Sequence, residues 1–242
     1  MFRVREIALV TGLFVIGGIF QQVACVKHNG GSLMAAPSPP KTDDSLTYLA
    51  LGDSYTIGQS VAVGDRYPVQ VVQRLRSDRI PYSPPDIIAV TGWTTADLLA
   101  AMPARTPGRT YHVVSLLIGV NNQYQHLSQD EYRTQFTELL QQSIQLAGNR
   151  PSHVLVLSIP DYSVTPFARG TNTAYIAAQL DSFNSINKEV SLAYQVHYVD
   201  VTGESRQAAH DPSLIASDDL HFSGKEYAVW ASLMEPIMKD LH

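Results

Sequence analysis

A chain of 242 residues, 45% apolar and 16% charged, carries enough apolar material for one sizeable globular core and does not read as disordered or repetitive. Its formal net charge of -5 at pH 7 offers no basic face for phosphate backbones, so no nucleic-acid partner is expected. With a single cysteine, Cys25, these residues can form no internal disulfide.

Arg3 and Arg5 precede an apolar run from Ile7 to Phe20, the layout of a secretory signal peptide, which is expected over residues 1–24. That run is shorter than the roughly 20 residues a membrane-crossing helix needs, so removal is expected rather than a retained span. Ala24 and Cys25 then resemble a bacterial lipobox, although Gln22 stands where such boxes usually carry an apolar residue. Lipidation of Cys25 is the expectation, with plain secretion as the alternative. Residues 25–45, with Gly30, Gly31, Pro37, Pro39 and Pro40, have no apolar period and read as a flexible tether. The expected location is outside the cytoplasm: a periplasmic or cell-surface lipoprotein anchored to a membrane through Cys25, or otherwise a secreted protein.

Thr47 to Leu51 is the first expected strand, apolar without alternation as in a strand covered on both faces. It breaks at Gly52-Asp53-Ser54, three turn-forming residue types that present a hydroxyl where a parallel strand ends. A loop through Gly58 and Gly64 leads to a helix with Pro68 in its first turn and Tyr67, Val71, Val72 and Leu75 on one face. Asp86 to Val90 is a second strand, followed by Thr91-Gly92-Trp93-Thr94-Thr95 and a helix through Leu98 and Leu99. Val113 to Ile118 is the most continuous β-prone run, which marks it as central, and it closes on Gly119-Val120-Asn121-Asn122. The next helix starts at a capping box, Ser128 with Glu131, and stops before Gly148 and Pro151. Val154 to Ile159 is a fourth strand; a loop with Asp161 and a helix carrying Ile176, Leu180, Phe183, Ile186 and Val190 follow. Val196 to Val201 is the fifth, before a loop with Asp211, Asp218, Asp219 and His221 and a terminal helix from Ser223, capped by Glu226. This alternation predicts an α/β domain over residues 46–242, a five-stranded parallel sheet between two helical layers.

In such a sheet Ser54, Gly92, Asn121, and Asp218 with His221 all follow strand ends, so the fold would gather them at one edge. A serine hydroxyl attacks poorly until a base takes its proton, and an imidazole held by a carboxylate is a common arrangement. His221 suits the base. Asp218, three residues earlier, can reach one ring nitrogen through a tight turn; Asp219 is adjacent, but the three-residue spacing favours Asp218. A carbonyl under attack becomes an oxyanion that needs fixed donors: Gly92 can offer an unobstructed N–H, Asn121 a side-chain amide, and Ser54 its own N–H. Singly, each of these residues is more often a turn residue or a strand-end cap. No histidine pair has the short spacing of a zinc site, so no metal and no cofactor is expected. His112, His153 and His197 read as structural, Asp53 as turn-fixing, and Asp161 as structural or pocket-lining.

Gly52-Asp53-Ser54-Tyr55-Thr56, the lone Gly92 after strand two, Gly119-Val120-Asn121-Asn122 and Asp218-Asp219-Leu220-His221 together resemble the four blocks of the SGNH (GDSL) hydrolase family, in the family's order. The resemblance covers residues 46–242 and implies a flavodoxin-like three-layer α/β/α fold. It implies a Ser54 nucleophile, a His221 base oriented by Asp218, and an oxyanion hole from Ser54, Gly92 and Asn121. It further implies a serine esterase that hydrolyses acyl or acetyl esters through an acyl-enzyme. One departure is Asn122, where the third block more often ends in Asp. Thr56 stands where a G-x-S-x-G elbow needs glycine, which argues against an α/β-hydrolase. The expected partner is a small-molecule, lipid or acetylated-sugar ester, and a monomer is expected. A catalytically silent glycan-binding module and a metal-dependent phosphoesterase are the competing functions.

Overall fold

Residues 45–242 are described in the computed structural model; the expected signal peptide, Cys25 and the tether up to residue 44 lie outside them. The strands are β1 Tyr48–Gly52, β2 Asp86–Ala89, β3 Val113–Leu117, β4 Val154–Leu157 and β5 His197–Val199. All pair in parallel, in the order β2-β1-β3-β4-β5. β1, β3 and β4 are buried along their whole length, which is why they carry continuous apolar runs. The edge strands β2 and β5 are only half-buried where they begin.

The helices are α1 Ser54–Ile57, α2 Tyr67–Ser77, α3 Thr95–Arg105, α4 Val120–Tyr124, α5 Gln129–Leu146, α6 Thr173–Ala193, α7 Thr202–Ser205 and α8 Gly224–Asp240. Right-handed crossovers dictate which face each long helix covers. The step from β1 to β2 runs one way across the sheet and lays α2 on one face. The steps to β3, β4 and β5 run the other way and lay α3, α5 and α6 on the opposite face. α8 returns to the first face and packs on α2, while α5 packs against both α3 and α6. Tyr67 of α2 meets Tyr227 and Trp230 of α8 with ring centroids 6.2 and 5.9 Å apart. The change of direction falls between β1 and β3, the switch point at which open parallel sheets form a crevice beyond the strand ends. Among the described residues no helix is long and apolar enough to cross a membrane.

Several element ends differ from the sequence reading, each for a local reason. β5 stops at Val199 rather than Val201, because Asp200 accepts the N–H of Thr202 at 3.0 Å and Ser158 Oγ accepts that of Val201 at 2.8 Å, which turns the chain into α7. At α8, Glu226 does not cap: it is buried and accepts the indole N–H of Trp230 at 2.7 Å. Ser128 does cap α5, but Glu131 turns outward to Gln135, so only half of that capping box forms. The reciprocal box lies instead at α3, between Thr94 and Asp97.

Candidate active site

The chain leaves β1 through a tight passage. At Gly52 an added Cβ would stand 2.3 Å from the Leu117 carbonyl oxygen, so a side chain is excluded where β1 and β3 are still paired. Asp53 follows as the buried N-cap of α1, its carboxylate accepting the Tyr55 N–H at 3.0 Å. Ser54 is then the first helical residue, so no carbonyl of the helix can reach its main-chain N–H. Tyr55 anchors this turn from below, its ring 5.5 Å from that of His221 and 5.9 Å from that of Phe222.

The loop after β5 presents Asp218 and His221 as one hydrogen-bonded unit. Asp218 Oδ1 accepts the N–H groups of Leu220 at 3.1 Å and His221 at 2.9 Å, while Oδ2 accepts from His221 Nδ1 at 2.6 Å. Burial pushes the Asp218 carboxyl up, but hydrogen bonds from Ser60 and from His221 outweigh it and hold it down at about 2. Asp218 is therefore an acceptor at neutral pH, so Nδ1 carries the proton and Nε2 of the neutral ring is left as the acceptor. Asp219 does not take this place: it sits at the turn with φ 62°, and its carbonyl accepts the Phe167 N–H.

On the other wall, Gly92 has φ +86° and no atom within 4 Å of where a Cβ would stand, so its main chain borders open space. Asn121, near the start of α4, donates from Nδ2 to the Trp93 carbonyl at 2.9 Å, which fixes its amide beside the Gly92 loop. Asn122 reaches back to the same loop. Its Oδ1 accepts the Thr95 N–H at 3.0 Å and its Nδ2 donates to Thr95 Oγ1 at 2.7 Å. An aspartate there could accept the first bond but could not donate the second, which accounts for the amide at this position.

Ser54, Gly92, Asn121 and His221 line one cavity of about 180 Å³, together with Tyr55, Thr91, Val120, Tyr124, Tyr162, Phe167 and Leu220. The expected convergence at one sheet edge is present, with Asp218 behind His221. Asp161 is not part of the lining. It is buried, caps the turn at Ser163 and pairs with Arg206 at 2.9 Å, so of its two expected roles the structural one holds. Among the described residues no three His, Cys, Asp or Glu side chains gather as metal ligands would.

The sequence profile of the GDSL-like lipase/acylhydrolase family matches residues 50–229. The chain belongs to this family. It is therefore an enzyme of the GDSL hydrolase group, and solved structures share its fold. TesA matches with a TM-score of 0.64 at 16% identity, over 81% of this chain and 99% of that one. The psychrotrophic esterase EstA from Pseudoalteromonas sp. matches with 0.62 at 16% identity, over 81% and 98%. The acetyl xylan esterase AlAXEase matches with 0.62 at 16% identity, over 77% and 97%. Curated protein sequences give no significant match.

In this GDSL hydrolase the aromatic lining and Ser60, whose hydroxyl donates to Asp218 Oδ2 at 2.6 Å, lie in the loops 55–67, 122–127 and 160–173 that shape the cleft, but no motif marks them individually. Tyr124 lies three residues after Asn121, and Leu220 directly before His221; that adjacency to the motifs was the signal available for them. Ser60 carried none, since its partner is 158 residues away. Asp53 holds a further consequence. Burial raises its carboxyl to about 7 against the hydrogen bond from Tyr55, and its Oδ2 has no hydrogen-bond partner. The folded state thus favours the protonated acid, so this contribution to stability is complete below about pH 4 and is lost as pH rises through 7. Asp53→Asn keeps the cap and removes the charge. It should raise stability on the order of 2 kcal/mol at pH 8, an advantage that vanishes by pH 4, as read by denaturant unfolding at the two pH values.

Proposed function

We propose that this GDSL hydrolase cleaves carboxylic esters through an acyl-enzyme on Ser54. The observation that carries the reading is the single cavity where Ser54, Gly92, Asn121 and His221 meet, with Asp218 bonded to the far side of the imidazole. His221 Nε2 takes the hydroxyl proton as Ser54 Oγ bonds to the carbonyl carbon. The carbonyl oxygen becomes an anion facing the N–H groups of Ser54 and Gly92 and the amide of Asn121. Collapse breaks the bond to the alcohol oxygen, and the alcohol leaves with the proton from His221. Water then adds to the acyl carbon while His221 takes its proton, and the carboxylic acid departs as Ser54 Oγ regains one.

The lining also supports a substrate class. It contains no Asp, Glu, Lys or Arg, which suits an uncharged ester. Tyr124, Tyr162 and Phe167 stand with ring centroids 6.2 to 6.4 Å apart, and Tyr124 and Phe167 are 54% and 45% exposed, ready to cover an apolar group. The cleft of about 180 Å³ has room for an apolar arm of the size of one benzene ring against these rings. Phe167→Ala should accordingly raise KM for benzyl acetate by about tenfold and change that for ethyl acetate by less than about twofold, since only the ring loses its cover. Equal losses on both substrates would remove this assignment.

The reading itself is tested with a chromogenic short-chain ester and the purified protein; no turnover across a broad ester panel would sink it. EstA is inhibited by monoethylphosphonate. A phosphonate of that class should leave one covalent adduct on the peptide bearing Ser54, detected by mass spectrometry. Glycan binding without turnover would favour the silent module, and phosphoester cleavage abolished by a chelator would favour the phosphoesterase.

A further inference from the structure

We propose that Ser60 is a positioning residue that holds the Asp218 carboxylate in line for His221, and that the turn following α1 braces the two walls of the cleft. The inference rests on the esterase reading above. Its first observation is the backbone. α1 ends at Gly58 in the left-handed region, with the Gln59 N–H returning to the Ser54 carbonyl, and Ser60 follows with φ +65°. Glycine takes that conformation freely and a residue with a Cβ less so, so the backbone here holds a serine side chain at a cost, aimed as the next observation describes.

The second observation is where the two consecutive side chains go. Gln59 Oε1 accepts from Thr91 Oγ1 at 2.7 Å, beside Gly92, and Ser60 Oγ donates to Asp218 Oδ2 at 2.6 Å. The segment that begins at Ser54 is thereby tied to the oxyanion wall by one residue and to the acid by the next. At Asp218 the bond completes a full set of donors: two main-chain N–H groups on Oδ1, and His221 Nδ1 with Ser60 Oγ on Oδ2. A carboxylate gripped at both oxygens cannot swing toward solvent, although its side chain is 30% exposed. In the proposed mechanism the Asp218 carboxylate faces His221 as the ring takes the Ser54 proton, so loss of this grip should lower kcat and leave substrate binding alone.

The test uses the full chain with Ser60→Ala, which removes the hydroxyl and keeps the left-handed strain, and Ser60→Gly, which removes both. For p-nitrophenyl acetate both variants should show kcat reduced about tenfold with KM within about twofold of the parent. In the free enzyme, the downfield proton resonance of the His221 Nδ1–H bond to Asp218 should move and broaden in both. Glycine relieves the backbone, so a folding defect in the alanine variant would leave the glycine variant to decide. If kcat in the glycine variant stays within twofold, solvent replaces the hydroxyl and the proposal is overturned. The resonance is read without substrate. A chain that turned over no ester would therefore end the esterase reading, while an unmoved resonance would end this one.

Discussion

Ser54→Ala should lower kcat by about a thousandfold or more while leaving the melting temperature unchanged. In the proposed mechanism the Ser54 hydroxyl forms the acyl bond, whereas the turn that presents it is held by other atoms. The α1 cap is made by Asp53 to the Tyr55 N–H, and the helix ends through Gly58, so the alanine variant keeps the loop. The proposed oxyanion donors and the aromatic wall also remain, and KM should change little. His221→Ala should lose a similar factor in kcat but also some stability, because the ring packs edge-on against Tyr55 at 5.5 Å. Asp218→Asn should be milder than either, since the base is still present. Steady-state kinetics on enzyme whose folded fraction is measured by thermal unfolding separates these cases, and near-normal kcat for Ser54→Ala would sink the mechanism.

Gly52→Ala should destabilise the protein by about 4 kcal/mol or more, beyond the 1–3 kcal/mol typical of an overpacked core. The added methyl would lie 2.3 Å from the Leu117 carbonyl oxygen and 2.2 Å from Thr56 Oγ1. Neither can retreat. Leu117 pairs in register with Gly52 between the two central strands, and Thr56 Oγ1 is hydrogen-bonded to the buried Tyr67 hydroxyl at 3.1 Å. β1 and β3 would have to part at the point where the Ser54 turn begins, so activity should fall with stability. Denaturant unfolding reads the effect; a loss under about 1 kcal/mol would mean that the strand ends shift freely.

Much of this arrangement is legible along the chain because it depends on local pattern. All five strands and the five long helices are signalled by apolar runs and helical spacing, since the central strands are buried on both faces and the helices on one. The short helices are not. α1 and α4 span four and five residues, too few for a periodic signal, and each exists because a strand end and a glycine redirect the chain. Capping was legible in type more than in place: Ser128 caps as expected, but Glu226 is drawn into the core by Trp230. A sequence reading cannot weigh a cap against a buried partner four residues on.

By itself the sequence determined the fold class, through alternating strand and helix patterns, and it determined which residues could do chemistry, through four short blocks at strand ends. Both are properties of near neighbours, and near neighbours are what a linear chain displays. The three-residue spacing already favours Asp218 over Asp219 as the partner of His221, and the tertiary structure adds the bond itself, in a turn whose backbone sends the two carboxylates in different directions. Only the tertiary structure decided that Asp161 belongs to Arg206 rather than to the cavity, that three rings from separate turns form its wall, and that Ser60 reaches Asp218 across 158 positions. Those contacts form only when crossovers bring distant strand ends to one edge, and no local pattern records them.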